Sequence, residues 1–483
     1  MKCSWTIVSL CAAIAVATTV SFAQPDSLWS RTFGGGMSDE CQSIQQTSDG
    51  GYVLAGYTYS FGGNENFWLV KTNANGDSLW SRIFGGANDD EAYAVQQTSD
   101  SGYIIAGSTW SFGNGSSDVW LVKTDANGDS LWSRTFGGNI GDGCYSVHQT
   151  SDGYALAGFT YSFSTSGQFW LVKTDVNGDS LWSRMYGRGD DEICYSAQQT
   201  SDGGYILAGK TWASFEHVYD FWLVKTNASG DSLWSRAYGG VNHETCYSVW
   251  QTSDGGYILG GSAQSYGAGG TDFWVVKTDS SGDSLWSRTF GGSDDEECRS
   301  VRPTMDGGYI LAGKTWSFGN QTGDFWLVKI DADGDSLWSL TFGGYNEDEC
   351  SAVLQSEDGG YVLGGTTRSI GAGNSDFWLV KTGPDPVSAD DQVVLQPSSF
   401  TLSTYPNPFN PSTTISYDLP RAEHVSLRVF DLLGGEIAAL KDGLVEAGNH
   451  RATFDGSGLA SGIYFARLDA GAFSQTKKLM LMK

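Results

Sequence analysis

The sequence predicts an all-β chain: a seven-bladed β-propeller of four-stranded blades, closed by its own N-terminal strand, with a second small β domain behind it. Three observations predict this. A unit of about 50 residues recurs seven times between Leu28 and Lys381, the period of propellers and solenoids. Each unit divides into four short β-rich runs with Gly/Asp turns and no helical run. The array also begins with an orphan fourth strand, Ser27 to Phe33, and ends with a unit that has only its first three. An open stack has no use for that split, whereas a ring uses the orphan to complete its last blade and leaves no unpaired edge at the seam.

From the N-terminus, Lys2, an apolar stretch from Ile7 to Val20 and the triplet Ser21-Phe22-Ala23 have the pattern of a secretory signal peptide over residues 1–23. No second apolar stretch follows, so no transmembrane anchor is expected. Residues 24–382 are read as the ring. In its first complete unit CQSIQQT leads through the turn SDGG into YVLAGYT, and NFWLVKT leads through NANGD into SLWSRIF: two hairpins, four strands. The tryptophan of LW recurs at 29, 80, 132, 182, 234, 286 and 338, and that of FWLVK at 68, 120, 170, 222, 274, 326 and 378, so these tryptophans are assigned to the core. Arg follows LWS at 31, 82, 134, 184, 236 and 288, with Leu340 the exception, and every WLVK-type segment ends in Lys. These cations are expected to line exposed outer edges.

The six cysteines beyond the leader, Cys41, Cys144, Cys194, Cys246, Cys298 and Cys350, occupy one repeat position, with Ala92 in the seventh. Symmetry-related positions do not approach to the 4.4 to 6.8 Å between Cα atoms that a disulfide needs, so the thiols are read as small buried apolar groups. Two residues earlier every blade carries an acid: Asp39, Asp90, Asp142, Glu192, Glu244, Glu296 and Asp348. Such a circle is a candidate cation site, calcium above all, or else a set of local caps on backbone N–H groups. The turns DANGD and DADGD lack the bidentate Glu of a calcium loop and are read as Asn/Asp-Gly turns.

Thr47-x-Asp49-x-Gly51 and its copies resemble the Asp-box turn of sialidase-like propellers, in which the motif is structural. A sialidase activity would need an arginine cluster, and within the ring only Arg188, Arg299, Arg302 and Arg368 lie off the repeat pattern. The five histidines show no metal-ligand spacing. Candidate ligand-binding residues are the variable aromatics just past the second strand: Tyr59, Trp110, Tyr161, Trp212 and Trp316, with Gln264 and Arg368 at the same position.

After a Pro/Ser/Asp-rich linker at 383–397 the repeat stops. Residues 398–483 alternate as strands and form the separate β domain. The segment from Tyr405 to Pro411, Leu433-Gly434-Gly435, Ser461-Gly462-Ile463-Tyr464 and the terminal Lys478 to Lys483 resemble the C-terminal sorting domain of type IX secretion cargo. That resemblance implies a small immunoglobulin-like β-sandwich read by outer-membrane secretion machinery, and hence a secreted or surface-displayed protein.

The formal charge of −27 argues against nucleic acid or anionic lipid as partners. What remains is a binding or adhesion module, expected to be monomeric, that recognises an extracellular glycan or protein with no certain cofactor and calcium as the candidate. An exported carbohydrate-active enzyme would require off-repeat carboxylates converging in one pocket. A structural surface-layer component is the third reading.

Overall fold

The computed structural model describes Pro25, residues 27–385 apart from 189–190, 214–216 and 321, and residues 401–482 apart from 406, 408, 410, 420–422, 446–447 and 472. The leader reading of 1–23 and the linker from 386 onward lie outside the described residues.

The orphan strand, β1 (Ser27–Phe33), belongs to the last blade, and the first blade is β2 (Asp39–Gln46), β3 (Tyr52–Thr58), β4 (Asn66–Thr72) and β5 (Ser78–Phe84), paired antiparallel in that order. Five further sheets repeat the order. The seventh is built from Asp348–Gln355, Gly360–Thr367 and Asp376–Pro384, with β1 as its outer strand: Phe33 lies opposite Phe377 and Arg31 opposite Leu379. The ring closes where Trp68 of the first blade packs on Phe377 of the seventh at 4.6 Å, over a shared core of Cys41, Leu54, Val362 and Leu379. The third strand of the seventh blade continues past the expected boundary at 382, and Asp385 accepts hydrogen bonds from Trp338 Nε1 (2.9 Å) and Tyr361 Oη (2.6 Å).

Alternation along the third strand explains the FW pair. Successive side chains leave opposite faces of a sheet, so Phe67 reaches the second blade, 4.6 Å from Trp120, while Trp68 reaches back to the seventh. Each such ring, buried on both sides, contributes roughly 1.5–3 kcal/mol. All six cysteines are buried and unpaired, and burial raises the thiols, that of Cys144 to about 12.

The two repeated cations hold different places. The six LWSR arginines are on the outer strands as expected, each stacked on its own tryptophan, as Arg31 is on Trp29 at 5.5 Å. Each also reaches the last Asp of the next blade's turn: Arg31 to Asp77, Arg82 to Asp129, and so round to Arg288 and Asp335. Leu340 is the exception where the chain leaves the seventh blade in place of that turn, and there Asp385 bonds Trp338 and Tyr361 instead. The lysines depart from the expectation of an exposed edge. Lys71 is 3% exposed, and its Nζ meets Asp49 Oδ2 at 2.9 Å and the Thr72 carbonyl at 2.7 Å, a pair repeated from Lys123–Asp100 to Lys381–Asp358. The Asp-box aspartate therefore clamps its turn, through Thr47 Oγ1 (2.6 Å) and Gly51 N (3.0 Å), and neutralises a buried lysine. Burial works against its charge, yet the bonds from Thr47, Lys71 and Gly51 bring Asp49 down to about 2.

Residues 401–482 form a separate unit of two sheets, one of three strands and one of four. Leu402, Ile415 and Tyr417 from the first meet Val425, Leu427, Leu468 and Leu479 from the second in one core, a small β-sandwich.

Candidate binding channel

Inward-facing positions of the seven innermost strands line a central channel with a cavity of about 680 Å³. In β2, Cys41 and Ile44 enter the core and Gln42 and Gln45 face the channel, with a bulge between Cys41 and Ser43 that resets the alternation. Serines of the same strands stitch neighbouring blades. Ser146 Oγ donates to the Ala197 carbonyl at 3.2 Å and accepts from Ala197 N at 3.3 Å, and Ser248 does the same with Val301. Those positions repeat because they hold blades together. The channel-facing ones are free to differ, and they do.

One level of the wall reads Gln42, Tyr93, Tyr145, Tyr195, Tyr247, Arg299 and Ser351. The four tyrosines form a continuous arc with ring centroids 4.8, 5.1 and 5.1 Å apart. Arg299 extends it, 4.4 Å over Tyr247, and is held by Glu297 at 2.7 Å and Glu349 at 3.1 Å. Tyr93 Oη donates to Glu91. Burial raises the phenol of Tyr145 to about 12, so the arc is neutral at physiological pH. Gln42 and Ser351 leave a gap on the remaining side.

The aromatic rim is uneven. Trp110 is 41% exposed, whereas Tyr59, Tyr161, Trp212 and Trp316 are half-buried. Trp212 packs against Tyr219 at 4.9 Å, Lys314 lies 4.1 Å over Trp316, and Tyr161 sits 5.7 Å from Phe159. Gln264 and Arg368 are exposed, Arg368 paired with Glu347. Beside Tyr59, Glu65 is pushed up to about 8 by burial and by its hydrogen bond to Glu91. Two carboxyls in direct contact share a proton. A retaining glycosidase separates its pair by about 5 Å so that a glycosidic bond fits between them.

Each of the seven repeated acids is buried in its own loop. Asp39 accepts from Gly35 N at 2.8 Å, from Ser60 Oγ at 2.7 Å and from Thr58 Oγ1, and Asp348 accepts from Gly344 N (2.9 Å) and Ser369 Oγ (2.7 Å). Glu296 takes Gly292 N at 2.8 Å and Thr315 Oγ1 at 2.9 Å, and Asp90, Asp142, Glu192 and Glu244 likewise accept a backbone N–H from four residues upstream. Among the described residues no three His, Cys, Asp or Glu side chains gather around one metal position.

In the C-terminal unit the distant tail motifs converge. Asn407 Nδ2 donates to the Lys478 carbonyl at 2.6 Å and its Oδ1 accepts from Met480 N at 2.9 Å. Phe409 exchanges backbone bonds with Met480 and Met482 on the last strand. Leu433-Gly434-Gly435 is a turn closed on Asp431 Oδ1, with Gly434 at φ +85°. Residues 403–482 match the family model of the secretion system C-terminal sorting domain. The tail is a sorting domain of the type IX system.

This sorting domain directs the chain to the secretion machinery and to the outer cell surface. No helix among the described residues is long and apolar enough to cross a membrane. Over 128 residues, 23% of its length, the chain is 28% identical to the regulatory protein FlaEY of Caulobacter vibrioides, of which that stretch spans 13%. PorZ, a surface component of the type IX system of Porphyromonas gingivalis, aligns with 93% of this chain and 60% of its own at 12% identity and TM-score 0.42. A puromycin hydrolase aligns over 83% and 62% at 13% identity and 0.48, and the propeller domain of the Trilobed protease of Pyrococcus furiosus over 75% and 99% at 10% and 0.40. Likeness of this degree carries neither ligand nor activity across.

Sequence reasoning singled out the loop aromatics and passed over the wall residues Tyr93, Tyr145, Tyr195, Tyr247 and Trp250. The signal was present. Just after each repeated cysteine or its alanine stands a residue that is Gln, Tyr, Arg or Ser from blade to blade, while the next is always Ser or Ala, and the off-pattern Arg299 and Arg302 and the lone His148 fall on the same strands.

Proposed function

We propose that the chain is an exported surface binding module that recognises an extracellular glycan or protein, with the central channel as its principal site and the exposed Trp110 as the outer contact. The tyrosine arc carries the reading. In a ring whose core and clasp positions repeat blade after blade, four adjacent blades place an aromatic at one level of a cavity of about 680 Å³, and aromatic faces suit sugar rings and protein side chains alike. The shared-proton contact of Glu65 with Glu91 favours binding over glycoside hydrolysis. The circle of repeated acids enters the proposal as a calcium requirement to be tested, since its members already accept hydrogen bonds from their own loops.

The test is binding of the full chain to a glycan array and to extracellular matrix proteins, with calcium and with EDTA. Binding lost in a Tyr145→Ala/Tyr195→Ala variant supports the channel. Binding that survives this change and is lost in Trp110→Ala moves the site to the rim, and no binding in any arm refutes the module.

A further inference from the structure

The channel has a second belt, three residues further along the innermost strands than the tyrosines, or roughly 10 Å. It comprises Gln45, Gln96, His148, Gln198, Trp250 and Arg302, with Leu354 at the seventh position. The glutamine orientations are fixed. Gln45 Oε1 accepts from Gln97 N at 2.5 Å, Gln96 Oε1 from Gln149 N at 2.6 Å and Gln198 Oε1 from Gln251 N at 2.8 Å. An amide whose oxygen is engaged turns its NH₂ elsewhere, and none of these three NH₂ groups meets an acceptor among the described residues.

Arg302 adds a charge. Its guanidinium lies 4.0 Å over Trp250 and has no carboxylate partner among the described residues, whereas Arg299 one level away is held by two glutamates. The surrounding sequence has been altered to allow this. In the blade after Trp250 the position that would donate to a glutamine is Pro303, which has no N–H, so Trp250 stands where Gln45, Gln96 and Gln198 stand elsewhere and becomes the platform for Arg302. Burial first, and the nearby Arg302 as well, hold His148 down to about 4, so it is neutral and adds no charge.

One level of the wall thus carries three free amide NH₂ donors and a single uncompensated cation, and a half-buried cation without a counter-charge is costly to maintain. We propose that this belt receives an oxyanion, a carboxylate or sulfate group borne by a saccharide whose ring lies against the tyrosine arc. The proposal rests on the channel as the binding site. A free inorganic anion would leave most of the roughly 680 Å³ cavity to water, whereas an acidic oligosaccharide of two or more units spans both belts. The overall charge of −27 does not forbid it. The nearest acids along the strands are already paired: the Asp-box aspartates four residues on are neutralised by their buried lysines, and Glu297 and Glu349, five residues back and about 16 Å away by strand rise, are held by Arg299.

Titration calorimetry of the full chain with sodium sulfate, glucuronate, an oligogalacturonate and neutral maltotetraose tests it. The oligogalacturonate is expected to bind most tightly, with glucuronate weaker, sulfate weakest and maltotetraose below detection. Arg302→Leu, a residue the fold already accommodates at Leu354, should weaken oligogalacturonate binding about tenfold to a hundredfold, the worth of a charge-assisted hydrogen bond. Arg288→Leu, on the outer surface, should leave it unchanged. Sulfate binding as tightly as the oligosaccharide overturns the saccharide part. Neutral saccharide binding as well as acidic, or equal affinities for wild type and Arg302→Leu, overturns the anion belt while leaving the channel as a binding site. Oligoglutamate bound in place of any saccharide overturns the ligand class.

Discussion

Asp118→Asn should make the propeller more stable at neutral pH, although it removes a charge from a highly acidic protein at a fully packed position. Asp118 opens the third strand of the second blade, is 3% exposed, and accepts a hydrogen bond from Asn114 N at 2.7 Å. Its other oxygen lies against Gly137, the glycine that also abuts the Asp142 carboxylate, and a Cβ on Gly137 would collide with both. Burial, with the Asp142 charge behind it, raises Asp118 to about 6 from 3.8. A folded value above the unfolded one means that the native state holds the proton more tightly. Stability from this group is complete below pH 4 and is lost as the pH rises from about 4 to about 6. Two pH units at 1.36 kcal/mol each set a ceiling near 3 kcal/mol. Solvent at the loop side of the seam screens the interaction, and about 1 kcal/mol is the better figure. Asparagine keeps an acceptor for Asn114 N and turns a donor toward Asp142, and the first blade already carries Asn66 at this position, the third Gln168. Thermal unfolding at a fixed scan rate should show the variant about 2 °C above wild type at pH 7, with the difference closing toward zero as the pH is lowered to about 4. An equal gain at both pH values, or a loss at pH 7, would refute the raised Asp118 carboxyl as the cause.

Two further outcomes follow from the repeat. Ser101 sits at φ +68° in the turn where five sister blades have glycine, so Ser101→Gly should raise stability by about 1 kcal/mol, measured by urea denaturation, whereas Gly203→Ser should lower it by a similar amount. The aspartates that pair with buried lysines respond to pH in the opposite sense to Asp118: Asp49, Asp100, Asp202, Asp254 and Asp358 are depressed to about 2, so their contribution is full above pH 4 and disappears as the pH falls from about 4 to about 2. Circular dichroism should accordingly show cooperative acid unfolding within that window, shifted upward in Asp202→Asn, and an unchanged acid midpoint in that variant would sink the assignment.

The scaffold was legible because every blade repeats the same physical problem. Two-sided burial demands the FW pair, the seam demands an orphan strand, and both recur or fail to recur at countable positions. The ion pairs were less legible. Lys71 and Asp49 are 22 residues apart, on the third strand and on the turn between the first and second, and a lysine ending an apolar strand looks the same whether its amine is in water or under a turn. The channel was harder still. Tyr145 and Tyr195 are local neighbours of nothing in sequence, and they meet only because blades rotate equivalent residues about one axis. A tyrosine after a cysteine in a strand carries no mark of that.

The departures from the repeat separate into two kinds, and the separation supports the channel as a site. Some are explained by the scaffold alone. Leu340 replaces arginine where the next turn is missing, and Asp385 takes over by bonding Trp338 and Tyr361. Others leave the scaffold with something unmet. Pro303 removes a donor, Trp250 then has no clasp to make, and Arg302 lies over it without a counter-charge, so the changes together produce an unbalanced cation where Leu354 shows that an apolar residue would fit. Packing has no need of that arrangement. A residue set that costs the fold stability and points into a cavity is the physical signature of a ligand that restores the balance.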